Sequence, residues 1–246
     1  MGCTGGKATG ETNNGKSAKK FYDMSEEERE KAKKIMEEQD KDLKEEKNEN
    51  EDPKLYEMYN WDELIKKLPT EKTDEGRKNR LKLWNKINEY GNGYVSFKRL
   101  SFQLDKYLQL PNVVKNKGPV KLAFKAACNK FARNGLKIED NLIEWMEFRI
   151  FLVYLRQYFE YWVMFEKLDK SGDHQINFEE FKKAIPKMKE WGYKLTDEEA
   201  EKEFKDIDKN NKGTISFEDF CSFAIQRCLD FEDDDGFDDE ELKNLK

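Results

Sequence analysis

DKSGDHQINFEE, residues 169–180, decides the fold. Oxygen-bearing side chains recur in it at the spacing that wraps one divalent cation. Asp169, Ser171 and Asp173 take positions 1, 3 and 5 of a twelve-residue loop, and Gln175 offers its backbone carbonyl at position 7. Asn177 serves position 9 directly or through water, and Glu180 closes the sphere bidentately at position 12. Oxygen ligands in this number suit Ca²⁺. Position 6 ordinarily needs glycine for a turn with positive φ, and here it is His174, the single histidine of the chain. Histidine is among the non-glycine residues that visit that region, so a strain of about 1 kcal/mol is expected rather than loss of the turn.

Tyr161, Met164, Phe165 and Leu168 before the loop, and Phe178, Phe181 and Ile185 after it, fall at helical spacing on one face each. Two helices with apolar inner faces therefore bracket the loop, the helix-loop-helix of an EF-hand. The register repeats. Val95, Ile143, Ile176 and Ile215 are each followed two residues later by Phe97, Trp145, Phe178 or Phe217, and five residues later by Leu100, Phe148, Phe181 or Phe220. A β-branched residue at loop position 8 explains that pattern in all cases. It predicts an all-α chain of four EF-hands in two paired lobes, with short β-ladders joining the loops of each pair.

The loops differ as metal sites. The first, residues 88–99, has Asn88, Tyr90 and Arg99 at positions 1, 3 and 12, which puts a cation where the closing carboxylate belongs. The second, within 134–147, keeps Glu147 but carries Leu136 and Ile138 where oxygens should stand, and is expected to be structural. The fourth, residues 208–219, offers Asp208, Asn210, Thr214, Ser216 and Asp219, with Gly213 at position 6. Lys212 replaces an oxygen at position 5 and Asp219 is one methylene shorter than Glu. A weak site follows, shifted toward Mg²⁺ or an empty loop.

The 246 residues, 40% of them charged with a net charge of −6, allow an ample core under a dense mixed-sign surface and argue against a clustered basic nucleic-acid footprint. No apolar run reaches membrane-spanning length. Cys3, Cys128, Cys221 and Cys228 show no paired spacing, and the last three sit in amphipathic stretches where a buried free thiol is expected, which points to a reducing, cytosolic compartment. No nucleophile stands beside a base, and there is neither a phosphate loop nor a zinc-ligand cluster, so neither an enzyme nor a small-molecule substrate is expected.

Met-Gly-Cys at the start offers Gly2 for myristoylation and Cys3 for palmitoylation, with Gly6 where the motif favours Ser or Thr. Lys7, Lys16, Lys19 and Lys20 would add attraction to anionic inner-leaflet lipid. Residues 1–22 read as a flexible acylated tail. Residues 23–53 read as a charged helix, opened by a Ser25/Glu28 capping box, and an acidic linker. With few apolar residues that helix is expected to be solvated and free-standing, or disordered; binding a partner is the weaker alternative. Residues 54–152 hold the degenerate pair, 153–229 the metal-binding pair and 230–246 an acidic tail. Residues 145–168 should run as one helix whose aromatic load forms either a core shared by both lobes or a groove wall for a partner or an acyl chain.

The chain resembles the calflagins, the flagellar calcium-binding proteins of kinetoplastid protists. The likeness rests on the Met-Gly start with a nearby cysteine, the charged N-terminal extension, the hands, and the segments WMEFRIFLVY, VMFEKLDKSG and AIPKMKEWG within 144–194. The resemblance implies a Ca²⁺ sensor held by myristate and palmitate at the cytoplasmic face of the flagellar or ciliary membrane, its metal concentrated in the third and fourth hands. A protein partner, unidentified, is expected for such a sensor. A non-switching axonemal protein or Ca²⁺ buffer is the alternative.

Overall fold

The computed structural model describes residues 21–43, 61–109, 118–133, 142–227 and 229. In chain order the helices are α1 (Glu26–Gln39), α2 (Trp61–Lys66), α3 (Asp74–Ile87), α4 (Phe97–Leu108), α5 (Pro119–Arg133), α6 (Trp145–Leu168), α7 (Phe178–Glu190), α8 (Asp197–Ile207) and α9 (Phe217–Gln226). Four short strands lie between them among the described residues: β1 (Tyr94–Ser96), β2 (Leu142–Glu144), β3 (Ile176–Asn177) and β4 (Thr214–Ile215).

The strands pair antiparallel, β1 with β2 and β3 with β4. The register sets Val95 opposite Ile143 and Ile176 opposite Ile215, so the position 8 residues face one another as the repeat requires. Each strand leads straight into a helix, and the residue at the junction caps it. Asn177 with Glu180, and Ser216 with Asp219, form reciprocal capping boxes in which the side chain at loop position 9 accepts from the N3 amide. Thr196 with Glu199 starts α8 the same way. These caps stop each loop from propagating the preceding helix, and each is worth about 1 kcal/mol.

α6 runs unbroken for 24 residues across the junction expected at 152/153. The hand pairs therefore share a helix, and one continuous core surrounds it. Phe148, Phe151, Phe159, Trp162 and Phe165 are fully buried. Trp84 packs on Phe148 at 5.2 Å at the N-terminal end, and Phe217 lies against Trp162 at 4.8 Å at the other. α5 lies along α6, with Phe124 touching Phe97 of α4 at 5.0 Å. The aromatic face is thus core in this conformation; each such ring contributes about 1.5–3 kcal/mol of burial.

The charged N-terminal helix departs from expectation. It is neither free-standing nor disordered. Its Ser25/Glu28 capping box and the Lys31–Glu27 pair are present as anticipated. Its sparse apolar residues, however, build a second small core in which Phe21, Ala32 and Met36 are buried against Tyr94 and Leu142. Phe21 meets Tyr94 edge-on at 5.2 Å. Ala32 and Met36 are one turn apart, which makes a stripe narrow enough to escape notice in so polar a helix.

No described helix is long and apolar enough to cross a membrane. Gly2, Cys3, the lysines at 7, 16, 19 and 20, the linker at 44–60 and the acidic tail at 230–246 lie outside the described residues.

Candidate metal centre

In the third loop, between α6 and α7, the anticipated ligands converge around the first and last positions. Asp169 and Glu180 are both buried, each 7% exposed. Asp169 Oδ1 accepts from the Gly172 amide at 2.8 Å and the Ser171 hydroxyl at 3.1 Å, while Oδ2 accepts from the His174 amide at 2.7 Å. Glu180 reaches across the loop. Its Oε1 accepts from the amides of Lys170 at 3.0 Å and Ser171 at 2.8 Å, and its Oε2 from Asn177 at 3.0 Å. Burial alone would push the Glu180 carboxyl up, but these amide donors outweigh it and hold the group below the ordinary carboxylate value. Ser171, Asp173 and Gln175 stay exposed at the loop rim and Asn177 is half-buried.

Neither Asp169 nor Glu180 faces a Lys or Arg side chain among the described residues. Two buried, uncompensated carboxylates with hydroxyl and amide oxygens around them are a donor set suited to a hard dication. Asp169, Ser171, Asp173, Asn177 and Glu180 would hold it by side chains and Gln175 by its carbonyl. The bound ion would supply the charge that the loop lacks.

His174 is more than a turn residue. Its φ of 60° lies in the left-handed region, as position 6 demands. Its Nδ1 pairs with Glu166 Oε1 at 3.0 Å, and its ring stacks over Trp162 at 6.1 Å and 29°. Glu166 is 2% exposed. The imidazole thereby ties the loop to the entering helix and offsets the strain that glycine would have avoided. An acidic residue on the apolar face of α6, flanked by Phe165 and Trp162, was the available signal for this contact.

The fourth loop, between α8 and α9, has the same frame with a shorter closure. Asp208 is buried and accepts from the amides of Lys212 at 3.1 Å and Gly213 at 2.7 Å. Asn210 Oδ1 accepts from Lys212 N at 3.2 Å. Asn211 and Gly213 take φ of 54° and 77°. Asp219, unlike Glu180, bonds only within its own capping box, to the Ser216 hydroxyl at 2.6 Å and amide at 3.3 Å. One missing methylene leaves it short of the loop start. Thr214 turns away from its own loop and donates its hydroxyl to the Gln175 side chain of the third.

The first loop is filled from within the chain. Arg99 at position 12 is 5% exposed. Its Nε donates to Asp40 Oδ1 at 3.1 Å, its Nη2 to the Gln39 carbonyl at 2.8 Å, and its Nη1 to Glu89. The guanidinium also lies over the Tyr90 ring at 4.6 Å. Ser96 Oγ and Lys98 Nζ hold the Asp40 carboxylate and carbonyl in turn. At the second loop Glu147 is buried and accepts from Glu144 N at 2.8 Å, and Glu144 Oε1 accepts from the Phe21 amide at 2.7 Å. Leu136 and Ile138 lie outside the described residues. The N-terminal arm therefore spans both degenerate loops, a contact that nothing in the local sequence of either partner announced.

Paired helix-loop-helix units with this register define an EF-hand protein of four hands. Known proteins agree: an EF-hand domain pair matches residues 161–225, and the FCaBP EF-hand domain matches 64–155. The flagellar calcium-binding protein of Trypanosoma cruzi is 32% identical over 71% of this chain and 82% of its own length. Two from Trypanosoma brucei brucei, TB-24 and TB-17, are each 31% identical, covering 69% and 74% of this chain and 77% and 76% of theirs. The chain belongs to the flagellar calcium-binding protein family, the calflagins.

Proposed function

We propose that this protein is a non-enzymatic Ca²⁺ sensor of the flagellum or cilium that takes its metal at the third hand. The ligands are Asp169, Ser171, Asp173, Gln175, Asn177 and Glu180. One observation carries the reading: Asp169 and Glu180 are buried, aimed into one loop, and left without a cationic side chain among the described residues. The names of the relatives support Ca²⁺ as the ion and the flagellum as the place.

The fourth hand acts as a weaker site through Asp208, Asn210, Thr214, Ser216 and Asp219, and its short closure favours Mg²⁺ or partial occupancy. Myristate on Gly2 and palmitate on Cys3 hold the chain to the inner leaflet, because one acyl chain alone binds only marginally. Glu180 stands in the first turn of α7, so a bound ion that competed with the loop amides for its carboxylate would let α7 move and open the C-terminal pair to a protein partner.

Fluorescence of a hydrophobic dye, titrated with Ca²⁺ in millimolar Mg²⁺, tests the switch. A rise on Ca²⁺ addition that the Glu180→Gln variant lacks is expected. A flat response in the wild-type protein refutes switching and leaves a buffer or an axonemal scaffold.

A further inference from the structure

Although the whole chain is acidic, residues 61–133 carry seventeen Lys and Arg against seven Asp and Glu, a net +10. Between Asp105 and Glu139 there is no acidic residue at all. Five of those lysines line adjoining clefts of the N-terminal hand pair. Lys66, Lys67, Lys82 and Lys86 line a cleft of about 230 Å³ between α2 and α3, and Lys86 and Lys106 line an adjoining one of about 250 Å³ between α3 and α4. Leu83 and Tyr107 belong to both, and Glu71 is the acidic residue of the lining.

Few of these lysines are held by a carboxylate among the described residues. On α1, α7 and α8, Lys31, Lys33, Lys187 and Lys205 pair with glutamates three or four residues away. Among the described residues only Lys67 of the clefts meets a carboxylate, Glu63 at 3.9 Å. Lys82 reaches the neutral Asn79, whereas Lys86 and Lys106 sit over the rings of Tyr107 and Phe102. Tyr107 is 39% exposed and Leu81, on the same helix as Lys82, 47%. Unneutralised ammonium groups around a half-exposed tyrosine make a surface that suits the headgroup region of an anionic bilayer, where amphipathic rings settle and lysines meet phosphate.

The arm strengthens the case for a membrane over another polyanion. By docking on the first hand pair through Phe21, Met36 and Asp40, it fixes the N-terminal tether to the body that bears the clefts. The stretch 4–20 can extend at most about 60 Å, so an anchor at residues 2 and 3 keeps this body close to the lipid surface.

We infer that the lysine clefts of α2, α3 and α4 are a second membrane contact, which binds anionic lipid headgroups independently of the acyl chains. This rests on the membrane part of the proposed function, and its test omits acylation so that the two can fail separately. Full-length unacylated protein is sedimented with vesicles of phosphatidylcholine alone, or with 20% (roughly one lipid in five) phosphatidylserine as the anionic component.

The wild type should bind the anionic vesicles only. A variant with Lys66, Lys67, Lys82, Lys86 and Lys106 changed to Gln should lose at least about tenfold in partitioning. Arg at those five positions should retain it, as should Gln at the N-terminal lysines 7, 16, 19 and 20. All five side chains are exposed, so the fold should survive, with circular dichroism as the check. The inference is overturned if the wild type ignores anionic vesicles, if the five-Gln variant binds like wild type, or if only the N-terminal lysines matter. It is also overturned if inorganic phosphate perturbs the cleft resonances while vesicles do not bind.

Discussion

Changing Asp40 to Ala should detach the N-terminal arm from the first hand and weaken the whole N-terminal pair. The side chain makes two contacts in a largely dry setting, one to Arg99 Nε at 3.1 Å and one to the Ser96 hydroxyl. Hydrogen bonds to charged groups are worth about 1.5–3 kcal/mol each, and an abandoned buried charge costs about 3–5 kcal/mol. Arg99 would not be wholly abandoned, since Glu89, the Gln39 carbonyl and the Tyr90 ring remain. Glu89 is nearly half exposed, which screens its share. The net loss should be about 2–3 kcal/mol, or roughly 5–10 °C in melting temperature for a chain of this size. Urea unfolding followed by tryptophan fluorescence reads it, because Trp84 and Trp145 lie 6.0 Å apart in this pair. Replacing both partners, Asp40→Leu with Arg99→Met, should recover most of the loss, because no unpaired charge is then left buried. A loss below about 0.5 kcal/mol for Asp40→Ala, the range of an ordinary surface change, would refute the clamp.

Other perturbations probe the loops. His174→Gly should change apo stability by less than about 1 kcal/mol, since relief of the φ of 60° offsets the lost Glu166 and Trp162 contacts; His174→Ala keeps the strain, loses both contacts, and should melt lower than either. Asp219→Glu should lengthen the reach of the fourth loop and tighten its Ca²⁺ binding about tenfold or more, read as a second resolved site in calorimetry. The folded-state pKa of Glu180 is lowered, so its contribution to apo stability is whole above the ordinary carboxylate value of 4.5 and drains away as pH falls through the lowered one. Urea midpoints between pH 6 and pH 3 (about three units spanning that range) should therefore fall less steeply in Glu180→Gln than in wild type.

The hands were legible because their requirements are local. A β-branched residue at position 8, an oxygen at position 9 that doubles as an N-cap, and an apolar stripe on each flank all fall within a dozen residues, and Ile176, Asn177 and Phe181 satisfy them in order. The short reach at the end of the fourth loop was readable from Asp219 alone, since side-chain length limits reach. The arm was not readable. Its docking depends on Asp40 meeting Arg99 and Phe21 meeting Glu144, partners 59 and 123 residues apart, and on two apolar residues in a helix dominated by charge. The same distance hid the reason that Arg99 is tolerated at a closing position: it is neutralised by another element rather than by a metal. His174 was seen as a departure from pattern, but its compensation by Glu166 needed the helix and loop together.

Isothermal calorimetry with Ca²⁺ on the unacylated protein in millimolar Mg²⁺, wild type beside Glu180→Gln, bears most directly on the third hand. The wild type should titrate one or two sites with the tighter in the micromolar range or below, and the variant should lose that site while keeping its fold. Unchanged affinity in Glu180→Gln, or no heat from the wild type, would contradict the assignment of the third loop as the Ca²⁺ centre.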